Sequence, residues 1–268
     1  MKTRLFLFFT CLLLSCSDIN EIPDASTAWG ALKQIASTTA EGTQLESRYF
    51  YYSDTGALER LVVVSPDYVE IEYHVTYENN IPTSLKRRID YVQETGIDRE
   101  EEYRIENVNN QIIFSPTSIG NTVEVTKVNG YVSVARRYYG DIEEYVTEEQ
   151  FEYDANMNLE RILVYDTNQS DTNFLVWTYE FSEFETPVGL RTNQVPITES
   201  SLFDFYQVLQ LQVSNQVPTR VSKRSGNGVF ENPYRLFQFN PVAAGNVVSA
   251  TATQYENTFP YTFSYYGN

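Results

Sequence analysis

A strict alternation of apolar and polar residues over long segments constrains the fold of this chain more than any other feature. Between Val69 and Glu78, valine, isoleucine and tyrosine alternate with glutamate, His74 and Thr76. Successive side chains of a β-strand point to opposite faces, so this pattern predicts a half-buried strand with one wet face. The pattern recurs at residues 103–106 and 261–265. An antiparallel sheet is expected, because parallel sheets are covered on both faces.

Short turn signals separate these segments about every ten residues. They are Asn79-Asn80, Asn109-Asn110, Gly120-Asn121 and Asn129-Gly130. Asparagine and glycine tolerate the positive φ angles of tight hairpin turns. Together with the alternation, the turns predict an all-β fold, a long curved antiparallel meander that closes partly into a barrel-like sheet.

One segment breaks the period of two. Apolar residues then recur at a spacing of three and four, at Leu202, Phe205, Tyr206, Leu209 and Val213. This spacing predicts a helix over residues 199–212, which Thr198, Ser200 or Ser201 could cap at its start. Its apolar stripe needs a partner, and we expect it to pack on the concave side of the sheet.

The N-terminus has the features of an export signal. Lys2 and Arg4 precede an apolar run at residues 5–14, which is too short for a membrane span. Leu13-Leu-Ser-Cys16 resembles the lipobox of bacterial lipoproteins, and the resemblance implies cleavage before Cys16 and acylation of its thiol. An ordinary secretory signal is the alternative. We therefore expect a signal peptide at 1–15, the lipidated Cys16 and a polar tether at 16–29, and one β domain at 30–268.

Two internal repeats indicate a hairpin unit that is used more than once. Residues 52–61 align with 153–162 without a gap and share Tyr, Leu, Glu and Arg in register, and residues 79–83 match 215–219 more loosely. With the lipobox and the helix at 202–212, these turns resemble an uncharacterised Bacteroidetes-type lipoprotein domain family with tyrosine-aspartate (YD)-like repeats. The resemblance implies a curved meander and a cell-envelope location, and no activity. Residues 156–158 depart from its usual glycine turn, and 107–135 match it poorly.

The charge of the chain disfavours some classes of partner. A net charge of −17 repels phosphate backbones, so nucleic-acid binding is not expected. Acidic residues on the strands, such as Glu70, Glu72, Glu100 and Glu102, conflict with the apolar outer band that a transmembrane barrel needs.

Candidate catalytic and metal-binding residues are few. His74 is the single histidine, and its place on a regular strand favours a solvated side chain over a triad base. Acidic runs leave a carboxylate-pair glycoside hydrolase open as an alternative, at Glu143-Glu144, Glu148-Glu149 or Asp98 to Glu102. Asp154, Asn156 and Asn158 have the spacing of a calcium loop, but a hairpin turn explains them better. We therefore assign no catalytic residue, metal or cofactor.

Aromatic residues could form a sugar-stacking platform, at Trp177 with Tyr179 or at Tyr138 with Tyr139 beside Gly140. Packing within the sheet is the favoured explanation for each of them. The sequence thus predicts an envelope lipoprotein of the outer membrane, held there by Cys16. Its role is expected to be a non-enzymatic binding or scaffold module for a glycan or protein partner. The alternatives are the hydrolase and a purely structural envelope protein.

Overall fold

A computed structural model describes residues 31–66, 68–91, 99–118, 120–139, 145–167, 173–187, 190–195, 197–198, 200, 202–241, 247–254 and 257–265. These residues form sixteen strands. They are β1 (Leu32–Thr38), β2 (Gln44–Tyr52), β3 (Leu58–Ser65), β4 (Val69–Glu78), β5 (Ile81–Tyr91), β6 (Arg99–Val108), β7 (Gln111–Pro116), β8 (Asn121–Val128), β9 (Tyr131–Tyr139), β10 (Tyr145–Tyr153), β11 (Leu159–Thr167), β12 (Asn173–Glu185), β13 (Val217–Ser225), β14 (Phe230–Pro241), β15 (Val247–Gln254) and β16 (Asn257–Tyr265). The predicted signal peptide and tether lie outside the described residues.

The strands form one closed antiparallel barrel. Each strand pairs with its neighbours in the chain, and β1 closes the ring by pairing with β16, for example through Ile35 opposite Phe263. The predicted all-β antiparallel meander is confirmed. The sheet closes completely, so no strand edge of the ring is left unpaired.

The alternation in the sequence separates the inside of the barrel from its outside. Tyr73 and Val75 are buried, whereas His74 and Thr76 between and beside them are exposed. Facing residues on neighbouring strands share a side of the sheet, so Leu61, Tyr73 and Arg87 point to the same interior. Glu70, Glu78 and Glu102 are exposed on the outer face, as the sequence predicts, whereas Glu72 on the same face is half-buried against Arg60 and His74.

The connection between β12 and β13 folds back into the barrel. We call this connection, residues 186–216, the plug; it contains a 3-10 turn (Thr192–Gln194) and helix α1 (Phe203–Val208). The helix is shorter than the predicted 199–212, because Leu209 leaves helical geometry and Gln210 adopts a left-handed φ of 52°. Residues 199 and 201 of that prediction lie outside the described residues.

No helix of the described residues is both long and apolar enough to cross a membrane.

Helix α1 packs against the inner wall through aromatic contacts. The ring of Phe205 meets Phe114, Tyr103 and Tyr73 edge to face, with centroid distances of 5.0, 5.8 and 6.5 Å. Such contacts stabilise beyond the area that they bury. The wall and the plug thus share one core, and the expected packing of the helix on the concave face of the sheet takes place inside the closed ring.

The repeats in the sequence are equivalent hairpins of this barrel. Tyr52 pairs with Leu58 after a bulge, and Tyr153 pairs with Leu159 after a bulge at the same place. The backbone bonds match too, since Ser53 N donates to Ala57 O and Asp154 N to Asn158 O. The hairpins β2–β3 and β10–β11 are eight strands apart. The second repeat pair contains the first residues of β5 and β13, which are also eight strands apart. In a ring of sixteen strands, each repeat therefore lies opposite its counterpart.

We expect Phe205→Ala to lower the free energy of unfolding by about 3–5 kcal/mol, because it leaves a cavity between three aromatic rings. Urea unfolding followed by intrinsic fluorescence measures the change. Phe174→Ala is the matched control, since Phe174 is 46% exposed and its loss should cost less than about 0.5 kcal/mol. Equal losses for the two variants would contradict the packing of the plug inside the barrel.

Candidate functional site

The two ends of the barrel differ. At one end, which we call the plug end, β12 finishes at Glu185, β13 begins at Val217, and the plug enters and leaves. Strand directions alternate, so the tight turns after β2, β4, β6, β8 and β10 lie at this same end. Strands β5, β9 and β11 finish at the opposite end, which we call the far end.

A cleft of about 310 Å³ opens between the plug and the plug-end rim. It is lined by Glu185, Thr186, Pro187, Leu190, Arg191, Thr192, Asn193, Gln210, Gln212, Val213, Ser214, Asn215, Gln216 and Val217. Eight of these fourteen side chains are amides or hydroxyls. This volume is at the lower end of the range for small-molecule sites in proteins.

Two amides of the cleft lining have buried polar atoms without a hydrogen-bond partner among the described residues. They are Oδ1 of Asn193, an acceptor, and Nε2 of Gln210, a donor. Asn193 is 3% exposed. Burying a polar group without a partner costs about 1–3 kcal/mol, so such groups in a native fold call for an explanation.

The other polar side chains of the cleft are held in place by the protein itself. Thr192 Oγ1 donates to the carbonyl of Gln216, and Gln216 Nε2 donates to Thr186 Oγ1, both at 3.0 Å. On the other side, Gln212 Nε2 donates to the hydroxyl of Tyr131 at 2.9 Å. The walls of the cleft are therefore fixed before any ligand arrives.

Gln207 connects the floor of the cleft to the barrel wall. Its Nε2 donates to the carbonyls of Asn193 and Gln194, at 3.0 and 3.2 Å, and its Oε1 accepts from Arg48 Nη1 at 2.6 Å. Arg48, on β2, also forms an ion pair with Asp204 of α1 at 2.8 Å. The position of Asn193 therefore depends on a buried arginine of the wall.

Charge pairing keeps Arg48 ionised inside the barrel. Burial alone would lower the pKa of this guanidinium, but the carboxylates of Asp204 and Glu46 more than offset the effect and raise it. Asp204 also accepts a hydrogen bond from the hydroxyl of Tyr73 at 2.8 Å. Removing one member of such a pair leaves a buried charge uncompensated, which is strongly destabilising.

Glu149 forms a second link between the wall and the plug. Its carboxyl accepts hydrogen bonds from Ser200 and from the hydroxyl of Tyr206, the latter at 2.7 Å. Burial raises the pKa of Glu149, and the hydrogen bonds from Ser200 and Tyr206 only partly oppose this effect. Because the residue is 1% exposed, its carboxyl holds a proton more readily than a carboxyl in water.

Where the structure describes the acidic runs, adjacent carboxylates point to opposite faces of the sheet; Glu100 and Glu102 share the exposed outer face and do not line the cleft. Glu149 faces the plug, whereas Glu148 lies on the outer face and pairs with Arg136. Glu101 points inward to Arg87 and Tyr103, while Glu100 is exposed and pairs with Lys86. Asp98, Glu143 and Glu144 lie outside the described residues.

His74 and the calcium-like loop have ordinary structural roles. His74 Nε2 lies 2.9 Å from Glu72 on the outer face, with half of its side chain exposed. Asp154 Oδ1 accepts from the backbone amides of Asn156 and Asn158, both at 2.8 Å, so the oxygen-bearing residues close a hairpin turn. The described residues contain no group of three or more His, Cys, Asp or Glu that could hold a metal ion.

The aromatic residues singled out from the sequence lie away from the cleft. Trp177 and Tyr179 point into the barrel around Lys223, whose Nζ is 4.1 Å from the centroid of the Trp177 ring. Tyr138 donates its hydroxyl to Glu124 at 2.9 Å. Tyr139 is part of β9, and Gly140 lies outside the described residues. Trp177, Tyr179 and Tyr138 thus contact side chains of neighbouring strands, as the favoured explanation predicts.

Sequence reasoning missed the cleft, although a compositional signal was present. Seven Asn and Gln residues lie between 193 and 216, namely Asn193, Gln194, Gln207, Gln210, Gln212, Asn215 and Gln216. The apolar face of a helix in this segment has to be buried, and the amides next to the helix are then buried with it. Such amides must be paired with each other, with the backbone or with a ligand.

We expect Glu149→Gln to flatten the pH dependence of stability. A raised pKa in the folded state means that the unfolded chain releases this proton first. Stability then falls as pH rises from the ordinary carboxyl value, about 4.3, towards the folded value, by at most about 1.4 kcal/mol per pH unit. Urea unfolding at a series of pH values measures this slope. Glu148→Gln should leave it in place, and identical slopes for Glu149→Gln and the unaltered protein would refute the buried-carboxyl account.

Comparisons with known proteins find similarity at the level of solved structures. A porin-like protein from Bacteroides uniformis is 12% identical, with a TM-score of 0.41, over 87% of this chain and 96% of that one. A porin-like protein from Bacteroides vulgatus is 9% identical, with a TM-score of 0.46, over 89% and 99% of the two chains. No family model and no curated protein sequence matches the chain.

Proposed function

We propose that this protein is a non-enzymatic, lipid-anchored binding module of the cell envelope, and that the plug-end cleft binds an uncharged saccharide. The observation that carries this proposal is the pair of buried, unpartnered amide atoms on Asn193 and Gln210 in a polar cleft. A hydroxyl group both donates and accepts, so adjacent hydroxyls of one sugar ring can satisfy an amide oxygen and an amide nitrogen together.

The composition of the cleft supports a neutral ligand over a charged one. Its polar lining consists mainly of amides and hydroxyls, while Glu185 and Arg191 contribute one charge of each sign. A protein partner would be expected to bury a much larger area than a cleft of this size offers.

The envelope location rests on the resemblance of residues 13–16 to a lipobox and on the outer surface of the barrel. Glu70, Glu100 and Glu102 are exposed on the outer face of β4 and β6, and Lys86 lies between them on β5. A barrel that faces lipid needs an apolar band about 25 Å high, which these charges interrupt. Attachment through acyl chains on Cys16 holds such a barrel at a membrane and leaves its wall in water.

We expect Asn193→Leu to weaken saccharide binding by about tenfold. Leucine is similar in size to asparagine but has no oxygen to accept a hydrogen bond from the saccharide. Isothermal titration with neutral hexoses, N-acetylhexosamines and their disaccharides measures the affinity. The probes that bind should also raise the melting temperature, since they bind the folded state alone.

Asn240→Leu is the matched control for this experiment, because Asn240 is exposed on β14 and does not line the cleft. Its affinity should equal that of the unaltered protein. If none of the saccharide probes binds the unaltered protein, the proposed ligand class is wrong. Equal losses of affinity in the Asn193→Leu and Asn240→Leu variants would show that the cleft is not the saccharide site.

We expect Cys16→Ser to abolish membrane attachment in a bacterial host that processes lipoproteins. The mature protein should carry acyl chains on Cys16, seen as added mass by mass spectrometry, and should partition into detergent. The serine variant has no thiol to take the lipid and should appear in the aqueous phase. An unaltered chain without added mass on Cys16 would contradict the proposed anchor and leave saccharide binding to be judged separately.

A further inference from the structure

Three exposed aliphatic side chains lie together on the plug-end rim. Ile81 begins β5, Val108 ends β6 and Val128 ends β8, and they are 55%, 48% and 54% exposed. Because neighbouring strands are about 4.8 Å apart, three residues on β5, β6 and β8 span about 15 Å of the rim. We call these three residues the aliphatic arc. Each is adjacent to a two-residue turn.

The turns beside the aliphatic arc carry no charge. They are Asn79-Asn80, Asn109-Asn110 and Asn129-Gly130, in a chain in which 21% of residues are charged. All five asparagines adopt the left-handed φ angles that the turns require, between 49° and 67°. The uncharged tips and the aliphatic arc can enter the headgroup region of a bilayer, while the exposed carboxylate of Glu78, which pairs across the strands with Ile81, stays in the polar interface.

The internal repeat places an exposed residue of the aliphatic arc at the position that is buried in the other half of the barrel. Ile81 corresponds to Val217 in the repeats at 79–83 and 215–219. Val217 is 2% exposed, because the plug lies over it, whereas Ile81 at the same place in the other half of the barrel is 55% exposed. The same position is therefore apolar in both halves, and only one half covers it from within the chain.

The proposed anchor lies at the same end as the arc. Strand β1 begins at Leu32 on the plug end, since it runs antiparallel to β16, which finishes there. Fifteen residues lie between Cys16 and Leu32, which gives a reach of at most about 55 Å. The tether therefore joins the barrel at the plug end, the end that also carries the aliphatic arc.

We infer that the aliphatic arc is a membrane-contact surface, which inserts Ile81, Val108 and Val128 into the headgroup region of the bilayer that holds the acyl chains. This inference rests on the anchor in the proposed function. The plug-end cleft lies near β12 and β13, on the part of the rim away from β5 and β6. If the arc contacts the bilayer, the cleft at the same end of the barrel lies close to the membrane surface. It can then bind saccharides that are attached to that surface.

The test uses the acylated full chain in vesicles of phosphatidylethanolamine and phosphatidylglycerol. Acylation consumes Cys16 and processing removes Cys11, so a cysteine introduced at Asn109 takes a single environment-sensitive fluorophore. Brominated lipids should quench this label strongly. The matched label at Tyr68→Cys, an exposed turn residue of the far end, should be unaffected.

The second arm replaces the arc by Ile81→Ser, Val108→Ser and Val128→Ser in the chain labelled at residue 109. Quenching should then fall several-fold, while circular dichroism and the acyl mass on Cys16 stay unchanged. Equal quenching at residues 109 and 68, or undiminished quenching in the serine variant, would overturn the inference. Because the acyl mass is measured in the same samples, a failure of the anchor is distinguished from a failure of the arc.

Discussion

The width of a ring of sixteen strands determines most of this structure. Barrels of about eight strands are filled by their own inward side chains, whereas sixteen-stranded ones enclose space that those side chains cannot fill. An apolar inner wall such as that formed by Tyr73, Tyr103 and Phe114 would then face water. Helix α1 removes this problem by placing Phe205 among the three rings. The plug is therefore part of the hydrophobic core, and the barrel and its content must be stable together.

Filling the interior with a loop segment brings polar backbone and side chains into a buried space, and the wall has to supply partners for them. Arg48 binds both Asp204 and Gln207, and Glu149 accepts from Ser200 and Tyr206. These two links specify one position of the plug, because a shifted plug would leave buried charges unpaired. The same requirement places Gln207 between Arg48 and the floor of the cleft. The shape of the cleft is thus set by contacts deep inside the barrel.

The sequence predicts the local structure well and the global structure in part. Alternation at Val69–Glu78 and the matched hairpins at 52–61 and 153–162 identify strands, faces and turns, because these depend on neighbours in the chain. Complete closure depends on pairing between β1 and β16 at opposite ends of the sequence, which no local period encodes. Inward ionisable residues such as Arg48 and Glu149 break the rule that polar residues face water, and they do so where the plug needs partners. The cleft was missed for the same reason, since its amides belong to no periodic pattern.

The positions of the repeats explain why the cleft lies where it does. The first repeat pair is offset by 101 residues and the second by 136, and the extra length is close to that of the plug. Both pairs are eight strands apart, so the barrel consists of two halves of eight strands with matching hairpins. The tight Asn79-Asn80 turn of one half thus corresponds to the whole plug in the other. A long segment inserted at a turn changes no strand register, which is why the ring tolerates it. The same insertion that fills the lumen creates, at its two ends, a rim lined by the amides of Asn193, Gln210 and Gln216, so filling the core and forming a binding cleft have one structural origin.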